Sequence, residues 1–455
     1  VKKLLQILLL FCAGSAFAQK EPEFKKVRYD DNFNYLANDT VNRSWYDQMK
    51  YIPLGGKNYM STGGEVRYRY LYTKNDQWGD VPQDNDGYTL TRILLHADTH
   101  LGWFRFFVQL QASEANSLTD PSPVDENPLD LHQAFFDIDF INNERHKLVA
   151  RLGRQEMTYG SQRLVGLRER PNNRMAFDGA KVIYATKGFS NDAFYTHPVQ
   201  GREGIFDDYF FNENAKFWGD YAVFHNVPFF KNIDVYYLGL WKRNWEFNDA
   251  TGRELRHSFG TRIWGSGGNW DYDFEGIYQL GDMAGKDISA WTLSSSVSYE
   301  FAATALKPKI GLKTEIISGD KKEGDNKLNT FNPLYPRGAY FGLIGLIGPA
   351  NMYDFHPSLG LELSRTLYLN VDSDFFWRMD SADGIYAPNV TLIYPSGGIS
   401  DTYIGTQLAS DITYTPNNFL SFTLEGTWFS AGDFIKESGA GKDVLFAAIT
   451  AQFRF

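Results

Sequence analysis

The chain has 455 residues and a formal net charge of −10, and the excess of Asp and Glu over Lys and Arg disfavours nucleic acid as a partner. Its single cysteine, Cys12, lies near the N-terminus, so an exported mature form holds neither a disulfide framework nor thiol chemistry. Aromatic residues make up 16% of the chain, yet the mean hydropathy is only −0.39, a combination that suits an aromatic-girdled wall around a polar interior.

Lys2 and Lys3 precede an apolar run from Leu4 to Ala13, and Ser15-Ala16-Phe17-Ala18 before Gln19 reads as a small-x-small cleavage site. Residues 1–18 are therefore expected to be a removed signal peptide, because the run is too short to span a bilayer. No later stretch has the length and apolarity of a transmembrane helix. Any membrane span must then be made of strands that close on themselves, because lipid offers no partner to a free backbone group. Residues 19–62 read as a periplasmic N-terminal segment and residues 63–455 as the barrel.

From Gly63 onward, period-2 alternation recurs in segments of the length a tilted strand needs to cross an outer membrane. The predicted strands are 63–72, 88–101, 103–113, 131–140, 147–156, 177–186, 189–197, 216–225, 233–243, 256–264, 270–280, 289–301, 307–317, 353–364, 366–378, 402–415, 418–429 and 443–455. Gly102, Lys187-Gly188, Gly265 to Asn269, Arg365 and Pro416-Asn417 read as tight turns, whereas 114–130, 157–175, 198–214, 319–352 and 379–401 are long. Short periplasmic turns alternating with long external loops define both class and orientation. The predicted fold is all-β: a transmembrane antiparallel β-barrel of about eighteen strands in a bacterial outer membrane, monomeric, with lipid and lipopolysaccharide around it.

Alternation also assigns faces. In the first strand Val66, Tyr68, Tyr70 and Tyr72 point to lipid, and Glu65, Arg67 and Arg69 point inward. In the last, Leu445, Ala447, Ile449, Ala451, Phe453 and Phe455 face out. The same reading puts Arg92, Arg105, Arg151, Arg256, Arg262, Lys309, Lys313 and Arg378 inside, together with Asp98, Asp137, Glu275, Glu315, Asp372, Asp374 and Glu425. Such a lumen is mixed in sign, and pairing across the wall is the expected role for most of these groups. His96, Asp98 and His100 share one face, but no Ser or Thr completes a catalytic set. A lumenal network is preferred there over catalysis or a metal, so the sequence calls for no enzyme activity, no cofactor and no metal.

One segment departs from the acidic background. Between 151 and 174 lie Arg151, Arg154, Arg163, Arg168, Arg170 and Arg174, against Glu156 and Glu169. Guanidinium forks match carboxylates, as a channel for acidic sugars would need, and an external loop binding lipopolysaccharide phosphates has equal standing. Tyr159, Trp241, Trp245, Trp264 and Trp377 are near these groups; stacking on sugar rings and membrane-girdle roles both remain open.

Lys50-Tyr51-Ile52-Pro53-Leu54-Gly55 leading into Gly63-Gly64-Glu65-Val66-Arg67, then Gly153-Arg154-Gln155-Glu156, Tyr159-Gly160, Arg163-Leu164-Val165, Arg174 to Phe177-Asp178-Gly179 and Phe331-Asn332-Pro333-Leu334-Tyr335-Pro336-Arg337-Gly338, resemble the bacterial alginate export family from about residue 45 to the C-terminus. The resemblance implies an arginine-lined constriction and loops folded over the pore. Carried over onto matching positions, together with the inward arginines, the expected substrate path comprises Arg67, Arg69, Arg92, Arg151, Arg154, Glu156, Arg163, Arg174, Asp178 and Arg337. The expected function is passive conduction of an anionic polysaccharide or oligosaccharide, with a porin for other small anionic solutes as the alternative. Periplasmic export or uptake partners belong to the same expectation. Arg154 has the parity of outward Leu152, so a bulge or the rim must reorient it. The loops at 157–175 and 319–352 are expected to pack against each other, with Asp320, Glu323 and Asp325 attracting the arginines.

Overall fold

The computed structural model describes residues 23–38, 44–82 and 87–455, so the predicted signal peptide lies outside the described residues. The barrel strands are β1 (Asn58–Lys74), β2 (Tyr88–Leu101), β3 (Phe104–Asn116), β4 (Asn127–Asn142), β5 (Lys147–Gln155), β6 (Phe177–Ala185), β7 (Phe189–Pro198), β8 (Ala215–Val227), β9 (Lys231–Phe247), β10 (Ala250–Gly267), β11 (Trp270–Met283), β12 (Lys286–Glu300), β13 (Lys309–Ile317), β14 (Met352–Ser364), β15 (Leu367–Trp377), β16 (Tyr403–Asn417), β17 (Leu420–Ala431) and β18 (Val444–Arg454). Each pairs antiparallel with the next. The first and last then pair from Glu65↔Arg454 to Lys74↔Leu445, so the 18-strand sheet closes and no strand edge faces lipid. The predicted strands all form, most ending within two residues of expectation.

Closure sets the two faces. Leu293, Ile310, Leu424 and Ile449 are exposed on the outer wall, while Glu65, Arg67, Arg69 and Arg92 are buried inside. Trp103, Phe140, Phe229, Phe230, Trp270, Tyr368 and Tyr414 are exposed beside the short turns, as an interfacial aromatic belt requires. No helix among the described residues is long and apolar enough to cross a membrane.

Two features depart from the sequence reading. First, the gap 244–255 between two predicted strands is strand: β9 and β10 continue and meet in a turn at 248–249, and β11 and β12 meet at 284–285, both on the long-loop side. These stubby hairpins are covered from above, where Asn248 Nδ2 donates to Glu323 at 2.9 Å and the Gly324 N–H donates to Asp249 at 2.8 Å. Second, the external half of the lumen is packed with apolar side chains. Leu164, Val165, Phe331, Leu334, Tyr335, Phe341 and Ile344 from the loops meet Phe177, Phe217, Phe376 and Phe429 from the wall. Burial of that many large side chains stabilises the folded-in loops as it would a soluble core.

The N-terminal segment also enters the barrel. Tyr29 stands edge-on to Phe107 and Phe135, whose faces point inward, and its hydroxyl donates to the Glu156 carbonyl at 2.8 Å. Arg28 donates to the Gly64 carbonyl at 3.2 Å. A short helix, α1 (Trp45–Lys50), then leads into β1; its N-terminus is closed by a capping box between Ser44 and Asp47.

Candidate permeation path

The connection 156–176 between β5 and β6 turns inward because three arginines on β1 and β2 seize its backbone. Arg67 donates to the carbonyls of Glu169 at 2.7 Å and Pro171 at 3.0 Å, Arg69 to that of Arg170 at 2.8 Å, and Arg92 to that of Asn172 at 3.4 Å. Asn172, fully buried, answers by donating to the carbonyls of Thr91, Glu114 and Asp125. Irregular backbone inside a barrel needs such partners, since each buried unpaired carbonyl is costly.

At the tip sits Glu169, whose side chain is 48% exposed to the lumen. Arg92 contacts it directly, Arg174 lies 3.2 Å away and Arg67 3.5 Å away. The partial loss of water around the Glu169 carboxyl is outweighed by the guanidiniums of Arg92, Arg174 and Arg67, which hold it well below the ordinary carboxylate range. Arg174 also meets Glu156 at 2.9 Å, and Glu156 accepts from His132 at 2.7 Å.

Two cavities flank Arg174. One, about 350 Å³ and on the external side, is lined by Arg154, Arg168, Arg174, His132, Gln111 and Asp208. The other, about 230 Å³ and toward the N-terminal segment, is lined by Lys25, Lys26, Arg28, Arg174, Glu169 and Arg454, with Glu65 behind them. Arg174 is common to both walls. Cations outnumber carboxylates around each, which reverses the acidic balance of the whole chain locally.

Arg168 is the most unusual of these cations. Its backbone is in the left-handed region at φ 54°, a strained position for an arginine. No carboxylate lies within ion-pair distance of it among the described residues, and its closest described partner is the Tyr335 ring, 5.9 Å from the guanidinium carbon. Burial lowers its pKa, and Tyr335 opposes the shift only weakly. An arginine remains charged there, so it presents an uncompensated positive charge to the cavity.

The other expected path residues have fixed structural partners. Arg151 is bidentate to Asp137 at 2.7 and 2.8 Å and lies 4.1 Å over Tyr29. Arg163 crosses the lumen to Glu275 at 3.2 Å, Glu315 at 3.4 Å and the Tyr340 hydroxyl at 2.7 Å. Arg154 pairs with Asp178 at 2.8 Å and donates to the carbonyls of Leu131 and Tyr209. Its orientation is set at Gly153, which has φ 129° and faces Gly179 across β5 and β6; a Cβ at Gly153 would lie 2.2 Å from the Ala134 carbonyl oxygen. Arg337 is exposed on the inner loop, and its backbone N–H donates to the Gln162 carbonyl at 3.1 Å.

The two long loops do pack together, but not by the attraction expected. Val165 bridges Tyr335, the Gly166 N–H donates to the Tyr335 carbonyl at 2.8 Å, and Arg170 reaches the carbonyls of Leu343 and Ile344. Asp320 and Glu323 turn away toward the 378–402 loop, where Thr330 and the Asp320 N–H both donate to Asp383 and Glu323 accepts from Ser396. Of His96, Asp98 and His100, the last two pair at 3.2 Å, while His96 bonds to neither. Asp98 is taken by Arg105 at 2.8 Å, and the two imidazoles stack on Phe107 and Tyr59.

The closed strand wall, charged lumen and aromatic belt define an outer-membrane β-barrel channel. Residues 58–443 match the alginate export family model, and the chain belongs to that family. No curated protein matches it. Among solved structures it is similar to a BenF-like porin from Pseudomonas fluorescens Pf-5, with 9% identity, 87% of this chain and 98% of that one covered, and a TM-score of 0.60. It is similar also to Pseudomonas aeruginosa OccK3 (OpdO), with 10% identity, 87% and 95% covered and a TM-score of 0.56. A third similar structure is P. aeruginosa OccK2 (OpdF) in complex with glucuronate, with 10% identity, 87% and 98% covered and a TM-score of 0.56. At these identities the likeness is one of fold.

Proposed function

We propose that the channel passes small anionic solutes, with a monomeric sugar acid as the type substrate, by handing them past Arg174 from one basic cavity to the other. The observation that carries this reading is the position of Arg174 in both cavity walls, with unpaired Arg168 on one side and Lys25, Lys26 and Arg28 on the other. A permeant carboxylate replaces water at guanidinium forks, and Glu169 competes for the same forks, so occupancy is weak enough for release. Arg67, Arg69 and Arg92 act indirectly in this account by fixing the loop that bears Glu169 and Arg174. The glucuronate bound to OccK2 supplies the size class.

Conduction of a linear acidic polysaccharide is the second reading, favoured by the family's name. The docked loops weigh against it, because they divide the space near Arg174 into cavities of about 350 and 230 Å³, at or below the lower end of small-molecule sites. Liposome swelling with a size series separates the two. Glucuronate is expected to enter faster than neutral glucose, and trimers or longer uronate oligomers are expected to be excluded. Entry of long oligomers at the rate of the monomer would overturn the small-solute reading.

A further inference from the structure

We infer that Asp354, His356 and Asp374 form a binding site for one divalent first-row transition ion on the lumenal wall between β14 and β15. Asp354 and His356 are two apart on β14 and so share its inward face, and the register Phe355↔Phe375 brings Asp374 of β15 beside them. One ligand atom from each of the three lies within 4.8 Å of the others.

The two carboxylates are short of donors, and among the described residues the one ionisable base within ion-pair distance of either is His356, 3.0 Å from Asp374. Asp354 is 4% exposed and Asp374 is fully buried, and none of their four oxygens has a hydrogen-bond partner. Buried acids normally collect donors, as Asp130 does by accepting from the N–H groups of Asp207 and Asp208. The closest lysine, Lys313, faces His356 across β13 and β14, but its ammonium is 3.0 Å from Glu315.

His356 is prepared as a ligand. Its Nε2 bonds to Asp372 at 3.1 Å, and Asp372 is held in turn by Asn370 at 3.1 Å. With the proton on Nε2, the Nδ1 lone pair points toward Asp374 Oδ2 at 3.0 Å, a contact that lacks hydrogen-bond geometry. A carboxylate behind the far nitrogen is the usual support of a metal-binding histidine. Two carboxylates and a neutral imidazole balance a double positive charge, and the imidazole favours zinc-like ions over magnesium or calcium.

The test uses the full chain purified from outer membranes in detergent, stripped with a chelator and titrated with zinc alone by calorimetry. The expected result is one tight zinc per chain, with Asp354→Asn and His356→Gln each weakening it at least tenfold. Asp372→Asn is expected to keep the stoichiometry and weaken binding by roughly 10- to 100-fold through the lost support. Zinc bound no more tightly by wild type than by the folded Asp354→Asn/Asp374→Asn double variant would overturn the assignment. If the double variant does not fold, the wild type alone decides. Saturating zinc is expected to raise its melting temperature above that of the stripped protein. An unchanged melting temperature would mean that the two carboxyls share a proton and hold no metal.

Discussion

Two arginines of the Arg-rich segment, Arg154 on the wall and Arg168 on the inner loop, use one residue type in opposite ways. Arg154 is surrounded by Asp178 and two carbonyls, whereas Arg168, fourteen positions on, has a strained backbone and, among the described residues, no carboxylate within ion-pair distance. A guanidinium with all its donors engaged holds elements together, and its charge is neutralised where it stands. A guanidinium left unengaged at a cavity wall projects charge to whatever passes. The lesson is that arginine density in a lumen says little about selectivity until each fork has been traced to its partners.

The largest effect expected from breaking this contrast is on the inner loop. Deleting 338–346 removes Tyr340, Phe341 and Ile344 from the lumen and frees Arg163 and Arg170 from their loop partners. Single-channel conductance should rise several-fold in planar bilayers. Deleting 320–330 instead removes the acidic stretch tied to 378–402 and should open the channel less, since that stretch does not reach the arginines. Equal conductance in the two deletions would show that the stretch bearing Tyr340, Phe341 and Ile344 is not what narrows the path.

Next in size is stability. Arg154→Ala leaves Asp178 buried without its cationic partner, and Arg163→Ala does the same to Glu275, while Glu315 keeps Lys313; loss of one member of a buried pair costs about 3–5 kcal/mol. Urea unfolding in detergent should show both losses. Arg168→Gln should fall within about 1 kcal/mol of wild type, because no buried carboxylate is orphaned. A destabilised Arg168→Gln would erase the distinction between the two arginines.

The smallest effect is pH dependence in the outer loops. Burial, with Asp383 close by, pushes the Asp320 carboxyl up to about 6, against the opposing hydrogen bond from the Asn329 N–H. A raised acid pKa means that the folded loop binds the proton better than the open one. The stabilisation is complete below the ordinary aspartate range and is lost as pH rises through about 6. Closures attributable to this loop should therefore last longer at pH 5 than at pH 7.5, and Asp320→Asn should flatten the difference. A steeper dependence in Asp320→Asn would reverse the sign of the argument.

Strands and their order were legible because alternation and turn chemistry are local, and the wall of a barrel repeats one local rule eighteen times. The Arg-rich segment was legible as composition, but not the partition of its arginines, because carbonyl partners such as those of Glu169, Pro171 and Leu343 carry no sequence signal. The inward N-terminal segment had a signal in Phe24-Lys25-Lys26-Val27-Arg28-Tyr29, a basic and aromatic run suited to a lumen, that periodicity does not weigh. Asp354 and His356 lie on the inward parity of their strand and were within reach of the same alternation that found Asp372 and Asp374 on the next. The continuation of β9 and β10 was masked by Arg243, Asn244 and Asn248, which break the alternation where these strands leave the membrane.

Local cations around Arg174, and not the net charge, are expected to set which ions pass. This is tested most directly by the reversal potential of single channels under a potassium chloride gradient, for wild type and for Arg168→Gln. Wild type should favour chloride despite the chain's net charge of −10, and Arg168→Gln should move the reversal potential toward potassium with the barrel still folded. Potassium selectivity in wild type, or a reversal potential unchanged by Arg168→Gln, would contradict the account.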